Sequence, residues 1–209
     1  MDPQTIQAYD THAATFAARY RSGERVPVER LKQAFGHRSQ ILDIGVGSGV
    51  DMARFLDAGY DVRGLEPSAV LMQTASKHFP RLQGRIWQGA LPMIDEELIE
   101  NWNSHFSGIF CSAVLMHIAY AEQQPALEQM YKMLKPEGRL LLTISKNREG
   151  LDEQRRDEYN RYYAELPEER VLQLCQNAGF THIQTWHDND KWHRQGLVWD
   201  SYLFEKSKL

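Results

Sequence analysis

The stretch Ile41-Leu-Asp-Ile-Gly-Val-Gly-Ser-Gly-Val50 has the residue types and spacing that most clearly imply chemistry. An apolar run enters three glycines set two residues apart, and a helical pattern follows at once. Glycine at Gly45, Gly47 and Gly49 lets the chain turn sharply and lets a ligand approach its backbone. At the carboxyl edge of a parallel sheet, such a turn is where nucleotides bind. A turn that cradles a dinucleotide's pyrophosphate wants a small residue at the position held here by Val50. Glu66 ends the next apolar run, about 20 residues past the first glycine, where a carboxylate can accept hydrogen bonds from ribose hydroxyls. The bland alternative is an ordinary α/β turn beside a solvated acid.

These residues need a frame to hold them, and the hydrophobic pattern supplies one. Short aliphatic runs at Gln40–Gly45, Tyr60–Glu66, Arg85–Gln88, Ser107–Ser112 and Arg139–Ile144 alternate with helical patterns, which predicts a parallel sheet covered on both faces. Tyr9, Ala13, Phe16 and Tyr20 recur at helical spacing. Val26–Phe35 reads as a second helix with Pro27 in its first turn. Helices are also expected over Val50–Ala58, from the N-cap Ser68 through Phe79, and around Leu127, Met130, Tyr131 and Leu134, the last ended by Lys135–Gly138. The charged stretch Glu149–Glu165 also reads as helical. Its Arg148, Arg155, Arg156 and Arg161, interleaved with acids, read as a solvated face, with an arginine holding an acidic substrate as the alternative. Pro167 opens another helix, with Glu168 and Glu169 in its first turn. Thr181–Asp188 and Leu197–Glu205 are strands with no helix between them, so they should form an antiparallel hairpin, with Trp192 and Trp199 anchoring it.

The bulk properties leave this reading room. A chain of 209 residues, 42% hydrophobic and 25% charged, fits one globular domain. Lys+Arg 24 against Asp+Glu 28 gives a net charge of −4, so no basic excess points to nucleic acid. No apolar run approaches the roughly 20 residues that span a bilayer, and no secretory pattern opens the sequence, which makes the cytoplasm the default location. Cys111 and Cys175 lie in apolar patterns and read as buried thiols, a nucleophilic Cys111 being the minority alternative.

Leu42-Asp-Ile-Gly-Val-Gly-Ser-Gly49, Gly64-Leu-Glu-Pro-Ser68 and Met133-Leu-Lys-Pro-Glu-Gly-Arg-Leu140 together resemble the class I S-adenosylmethionine (SAM)-dependent methyltransferases. The likeness runs from about Ile41 to Ile144, and the closing hairpin suits the same family. It implies a Rossmann-like sheet of seven mostly parallel strands with helices on both faces and an antiparallel C-terminal hairpin. It further implies one domain, divided into an N-terminal helical lid (1–36), a cofactor-binding core (37–145) and substrate-side helices with the hairpin (146–209). The cofactor is then SAM, leaving as S-adenosylhomocysteine (SAH). Gly45, Gly47 and Gly49 would line its methionine part, and Asp43 would orient the turn or reach the amino group. Glu66 would hold the ribose, with Pro67 and Ser68 beside the adenine. Gly89, Ala90 and Leu91 would border that ring, although many relatives carry an Asp where Gly89 or Ala90 stands. Cys111, Ser112 and Ala113 would lie beneath the sulfonium, and Tyr9 would contact the cofactor from the lid.

Methyl transfer is an in-line displacement at a carbon that positive sulfur has already activated, so alignment matters more than a fixed catalytic motif. The stretch after the fourth strand, Cys111-Ser-Ala-Val114, has neither the Asn/Asp-Pro-Pro-Tyr of amino-nitrogen methylases nor the acids of a metal-dependent catechol type. What remains is a small-molecule O-, N- or S-acceptor. His117 and Tyr20 are the candidates for catalytic groups, and His12, Phe16, Tyr159 and Tyr163 for acceptor contacts. Tyr159, Tyr162 and Tyr163 would equally form a buried helical stripe. His187, Asp188, Asp190 and His193 make too loose a set for a metal, and none is expected. The rivals are a methyltransferase acting on RNA or protein, a SAM-binding protein without catalysis, and an NAD-dependent dehydrogenase. A monomer or homodimer, with no nucleic-acid or membrane partner, completes the expectation.

Overall fold

Alternation along the central strands sends successive side chains to opposite sides of one sheet. Leu42, Ile44, Ile109, Cys111, Leu140 and Leu142 enter one apolar cluster, while Ile41, Val62, Phe110 and Leu141 enter the other. A sheet buried on both faces needs helices on both, and the chain supplies them. The computed structural model describes residues 1–22, 26–36, 39–93, 95–190, 194 and 196–208.

Seven strands form the sheet: β1 (Gln40–Ile44), β2 (Asp61–Glu66), β3 (Ile86–Gln88), β4 (Phe106–Ser112), β5 (Leu134–Lys146), β6 (Phe180–Asn189) and β7 (Val198–Lys206). Their order is β3-β2-β1-β4-β5-β7-β6, with β7 antiparallel to both neighbours and every other pairing parallel. The expected architecture, including the closing hairpin, is borne out. The helices are α1 (Pro3–Thr11), α2 (Ala13–Ser22), α3 (Val28–Phe35), α4 (Val50–Asp57), α5 (Ala69–His78), α6 (Glu96–Asn101), α7 (Tyr120–Met133) and α8 (Glu168–Asn177). α7 and α8 cover the first cluster with Leu127, Met130, Val171 and Cys175. α3 and α4 cover the second with Leu31, Phe35, Met52 and Phe55. Among the described residues no helix is long and apolar enough to cross a membrane.

Several expectations change in detail. The opening helix is two helices broken at His12, and α6 carried no sequence signal that singled it out. The turn read at Lys135–Gly138 lies inside β5 as a bulge. Leu134 pairs with Phe106, the next partner is Arg139 on Gly108, and Glu137 takes a φ of 62°.

The largest correction concerns Glu149–Glu165, which is not helical. An irregular strap runs there, with one antiparallel bridge between Arg156 and Tyr162. Asp152 accepts from the backbone amides of Gln154 and Arg156, and Asp157 from those of Tyr159 and Arg161. Such bonds offer the backbone an alternative to the helical ladder, and Arg155 and Asn160 complete the turns at positive φ. A solvated helix face of arginines and a helical stripe of tyrosines therefore do not exist. Trp192 and His193 lie outside the described residues.

The strap is tied to the N-terminal helices. Asp2 caps α1 by accepting from the Thr5 amide at 2.8 Å, and its carboxylate also receives Arg156 at 2.8 and 3.0 Å. Burial alone would raise the Asp2 pKa, but the bonds from Arg156 and Thr5 outweigh it and bring the value to about 2. The stabilisation from this depressed group is present above the ordinary carboxylate range and lost as pH falls toward 2. Asp2→Ala is expected to cost about 1–2 kcal/mol in urea unfolding at pH 7. The gap between the two proteins should close as the measurement moves down through pH 4 to 2.

Candidate functional site

β1 and β2 end side by side, with Asp43 paired to Gly64 and Ile44 to Leu65. The chain leaves β1 through the glycine turn and enters α4. Gly47 sits at φ 55° with its amide aimed at the next strand's tip, where it donates to Glu66 Oε2 at 2.8 Å. Glu66 Oε1 accepts from the Ser68 amide at 2.9 Å. The carboxylate is thus clamped from two sides and 3% exposed. Burial, helped slightly by the Asp10 charge, pushes its pKa up to about 7 against the two backbone bonds, which lower it. Gly49, the N-cap of α4 at φ 80°, has a packing reason of its own: a Cβ there would stand 2.8 Å from Leu82 and 2.9 Å from Ala75.

One cavity opens over these strand ends. Asp43, Gly45, Gly47, Glu66 and Pro67 line it from the β1 and β2 side, and Ser112 and Ala113 from the β4 side. Tyr9 and Tyr20 close it from α1 and α2. His117 and Tyr163 stand at its far end. These are the residues that the sequence reading and the fold bring together.

Others of that set sit elsewhere. Gly49 turns toward α5. Ser68 is fully buried, caps α5 by accepting from the Leu71 amide, and donates to Asp10 at 2.6 Å, which fastens the lid. Gly89 donates its amide to the Glu66 carbonyl at 3.1 Å, and Leu91 packs into the core, so Gly89, Ala90 and Leu91 adjoin β2 outside the cavity lining. Cys111 points into the core, and burial drives its thiol pKa up, which leaves no nucleophile there. His12, Phe16 and Tyr159 form an edge-to-face aromatic cluster behind the cavity wall.

The lid carries the site's polar network. His117 Nδ1 lies 2.6 Å from the Tyr162 carbonyl, which can only accept, so Nδ1 holds the proton. Nε2 therefore accepts from the Tyr9 hydroxyl at 3.1 Å. Tyr20 donates to the Tyr9 oxygen at 3.5 Å, and Arg161 Nη1 approaches it at 3.4 Å. Burial first, and the Arg161 charge second, lower the His117 pKa to about 3, so the ring is neutral. Burial raises Tyr20 well above the usual phenol range, which makes it a hydrogen-bond donor and no base.

Sequence reasoning gave an arginine holding an acidic substrate only as the alternative for the stretch of Arg148 and Arg161, and it did not single out Arg30 or Arg194. Arg30, Arg148, Arg161 and Arg194 line the cavity. Arg30 meets Asp188 at 2.6 Å and Arg194 meets Asp190 at 2.6 Å. Arg148 and Arg161 converge on Asp157, at 3.1 and 2.6 Å. The only available signal was the strap's mixed charge, which reads as solvated wherever a helix is assumed. The metal candidates also separate. His187 pairs with Asp200 while Asp188 and Asp190 pair with arginines on other parts of the wall. Glu168, His187 and Asp200 do come within 4.8 Å of one another, but Lys146 already bridges to Asp200.

Asp157 is the buried half of a pair that cannot be removed cheaply. Burial would raise its pKa, but the Arg161 bonds lead a set of interactions that lower it overall. Asp157→Asn leaves two guanidinium groups without their counter-ion, and urea unfolding should show a loss of about 3–5 kcal/mol. A loss below about 1 kcal/mol would mean that the pair is solvated.

The chain is similar to known proteins in sequence and in fold. Residues 42–140 match the family model described as a methyltransferase domain. An uncharacterised methyltransferase of Bacillus licheniformis is 28% identical over 154 residues, which cover 72% of this chain and 64% of that protein. The match therefore spans somewhat less than two thirds of that relative's length. The Burkholderia thailandensis 1,6-didemethyltoxoflavin-N1-methyltransferase, solved with 1,6-didemethyltoxoflavin and SAH, superposes with a TM-score of 0.75 at 18% identity, over 97% of this chain and 88% of that one. A TehB-like SAM-dependent methyltransferase from Corynebacterium glutamicum gives 0.69 at 22% identity, over 94% and 99%. At these identities the solved structures speak for the fold.

Proposed function

We propose that this chain, whose residues 42–140 match a methyltransferase-domain family model, is of the class I SAM-dependent type and transfers a methyl group from SAM to an oxygen, nitrogen or sulfur atom of a small molecule. The observation that carries the reading is the buried Glu66 carboxylate clamped to the Gly47 amide at the carboxyl ends of β1 and β2. It lies beside the point where the strand order reverses between β1 and β4, which is where open α/β sheets bind ligands.

The residues fit the cofactor. A carboxylate has about four acceptor positions, so Glu66 retains capacity for two ribose hydroxyls after serving two amides. Asp43, 2% exposed, and the bare backbone at Gly45 and Gly47 suit the amino-acid tail. Pro67 and Leu71 offer an apolar edge to the adenine, with Ser68 and the Gly89–Leu91 turn behind them. Gly49 contributes by setting the pitch of α4 rather than by contact. When bound, SAM supplies a methyl carbon made electrophilic by positive sulfur. Ser112 and Ala113 would lie on one side of that carbon, and Tyr9 and Tyr20, which line the cavity from α1 and α2, on the other.

His117 serves the reaction by fixing Tyr9. Its Nε2 is occupied by the Tyr9 hydroxyl, and its low pKa makes it a reluctant proton sink. Tyr9 then presents an oriented phenol oxygen to the acceptor, held in place by His117, Tyr20 and Arg161. An acceptor that arrives protonated can donate a hydrogen bond to this oxygen and releases its proton to solvent as the methyl group is transferred. Tyr163 borders the acceptor, and Phe16, His12 and Tyr159 hold the lid in place behind it. A small acceptor suits a cavity that Tyr9 and Tyr20 line from α1 and α2, and the net charge of −4 gives no footprint for nucleic acid.

Calorimetric titration with SAM or SAH tests the first step, and absence of both heat and a rise in melting temperature would refute it. The ribose hydroxyls need an ionised Glu66, and the free protein keeps that proton up to about pH 7. SAH affinity should therefore fall by up to about tenfold per pH unit below 7 and level off above it. Glu66→Gln should bind weakly at every pH with the slope removed. Conversion of SAM to SAH in the presence of a metabolite library then tests for catalysis, and persistent failure across a broad library would favour a binding protein.

A further inference from the structure

The wall facing the acceptor end of the cavity holds more positive charge than the chain neutralises. Two of its arginines are matched one to one, Arg30 by Asp188 and Arg194 by Asp190. Arg148 and Arg161 instead share Asp157, and no other acid pairs with either among the described residues. Asp157 has nothing left to offer a second cation. Its Oδ1 accepts the amides of Tyr159 and Arg161. Its Oδ2 accepts Arg148 Nη2, Arg161 Nε and Nη2, and the Tyr163 hydroxyl at 3.4 Å. Two guanidinium groups against one carboxylate leave one uncompensated cation in a place of low exposure: the Arg161 side chain is 5% exposed and Arg148 18%.

The donors left over point the same way. Arg148 Nε is buried without a hydrogen-bond partner, an arrangement that costs free energy unless a ligand relieves it. Arg161 Nη1 has only the long contact to Tyr9. Aromatic faces hold both groups in position: Arg148 lies 4.3 Å over Tyr163, and Arg161 lies 4.4 Å over Phe16. A planar anion with two oxygens is the ligand that a fixed guanidinium edge matches.

We infer that the methyl acceptor carries a carboxylate, received by Arg148 and Arg161, with Tyr9 beside the atom to be methylated. This deepens the acceptor-site reading above and depends on it. The carboxylate is an anchor: the new bond forms between the acceptor's heteroatom and the methyl carbon, and the carbon–sulfur bond breaks with its electron pair returning to sulfur. The heteroatom's proton, where it has one, is released to solvent.

The experiment uses protein first saturated with SAH, so that failure of cofactor binding is seen separately and refutes the earlier reading instead. Small aromatic and aliphatic monocarboxylates, their amides and phenyl phosphate are then titrated by calorimetry and by melting temperature. Carboxylates should bind and their amides should not. Arg148→Met leaves Arg161 and Asp157 as a matched pair and should fold. It should lower carboxylate affinity about tenfold or more, and Arg148→Lys should restore a large part of it. Binding of amides as well as acids, indifference to Arg148→Met, preference for phenyl phosphate over every carboxylate, or no carboxylate binding to SAH-loaded protein would each overturn the inference.

Discussion

The contact between Glu66 and the Gly47 amide governs the site. It joins the turn after one strand to the tip of the next, so the glycine loop cannot move without breaking a bond to a buried acid. The second oxygen takes the Ser68 amide and thereby sets the start of α5. Ser68 in turn reaches Asp10 on α1. One carboxylate thus orders a strand turn, a helix start and, through a hydroxyl, the lid. Keeping it buried has a cost, visible in its elevated pKa, and a ligand that donates hydroxyls to it would offset that cost.

A second buried acid organises the other half. Asp157 draws two arginines and two backbone amides into the strap after β5, and the strap passes beneath α1. Tyr162 donates its amide to Thr5 and its carbonyl receives His117. Lid, strap and the segment after β4 therefore meet around a single neutral histidine. A group so thoroughly engaged holds Tyr9 where it stands, and the proposed reaction would ask no more of it, since its activation would come from the cofactor.

Much of this was legible without coordinates. The short aliphatic runs and their helical spacers defined the sheet, because a strand buried on both faces must be apolar throughout. The glycine turn and Glu66 were legible because their backbone demand and their separation along a βαβ unit admit few other readings. The Ser68 cap and the closing hairpin followed from the same local rules. The strap was not legible. Its alternating charges fit a solvated helix as well as they fit a folded-under loop, and only Asp157's bonds to its own backbone decide between them.

Local chemistry therefore settled what is local: strand, turn, cap and the acid across from the turn, each determined by residues within a few positions or by one repeating unit. Tertiary structure decided everything that depends on which distant segments meet. It turned Cys111 inward, moved His12, Phe16 and Tyr159 behind the wall, and brought Arg148 and Arg161 from an assumed surface into the cavity. The physical reason is that a charge's place depends on its partner. Asp157 lies within a dozen residues of both arginines, yet the burial of Asp157 and Arg161 comes with the packing of Tyr9 and Phe16, from the distant α1 and α2, against Arg161.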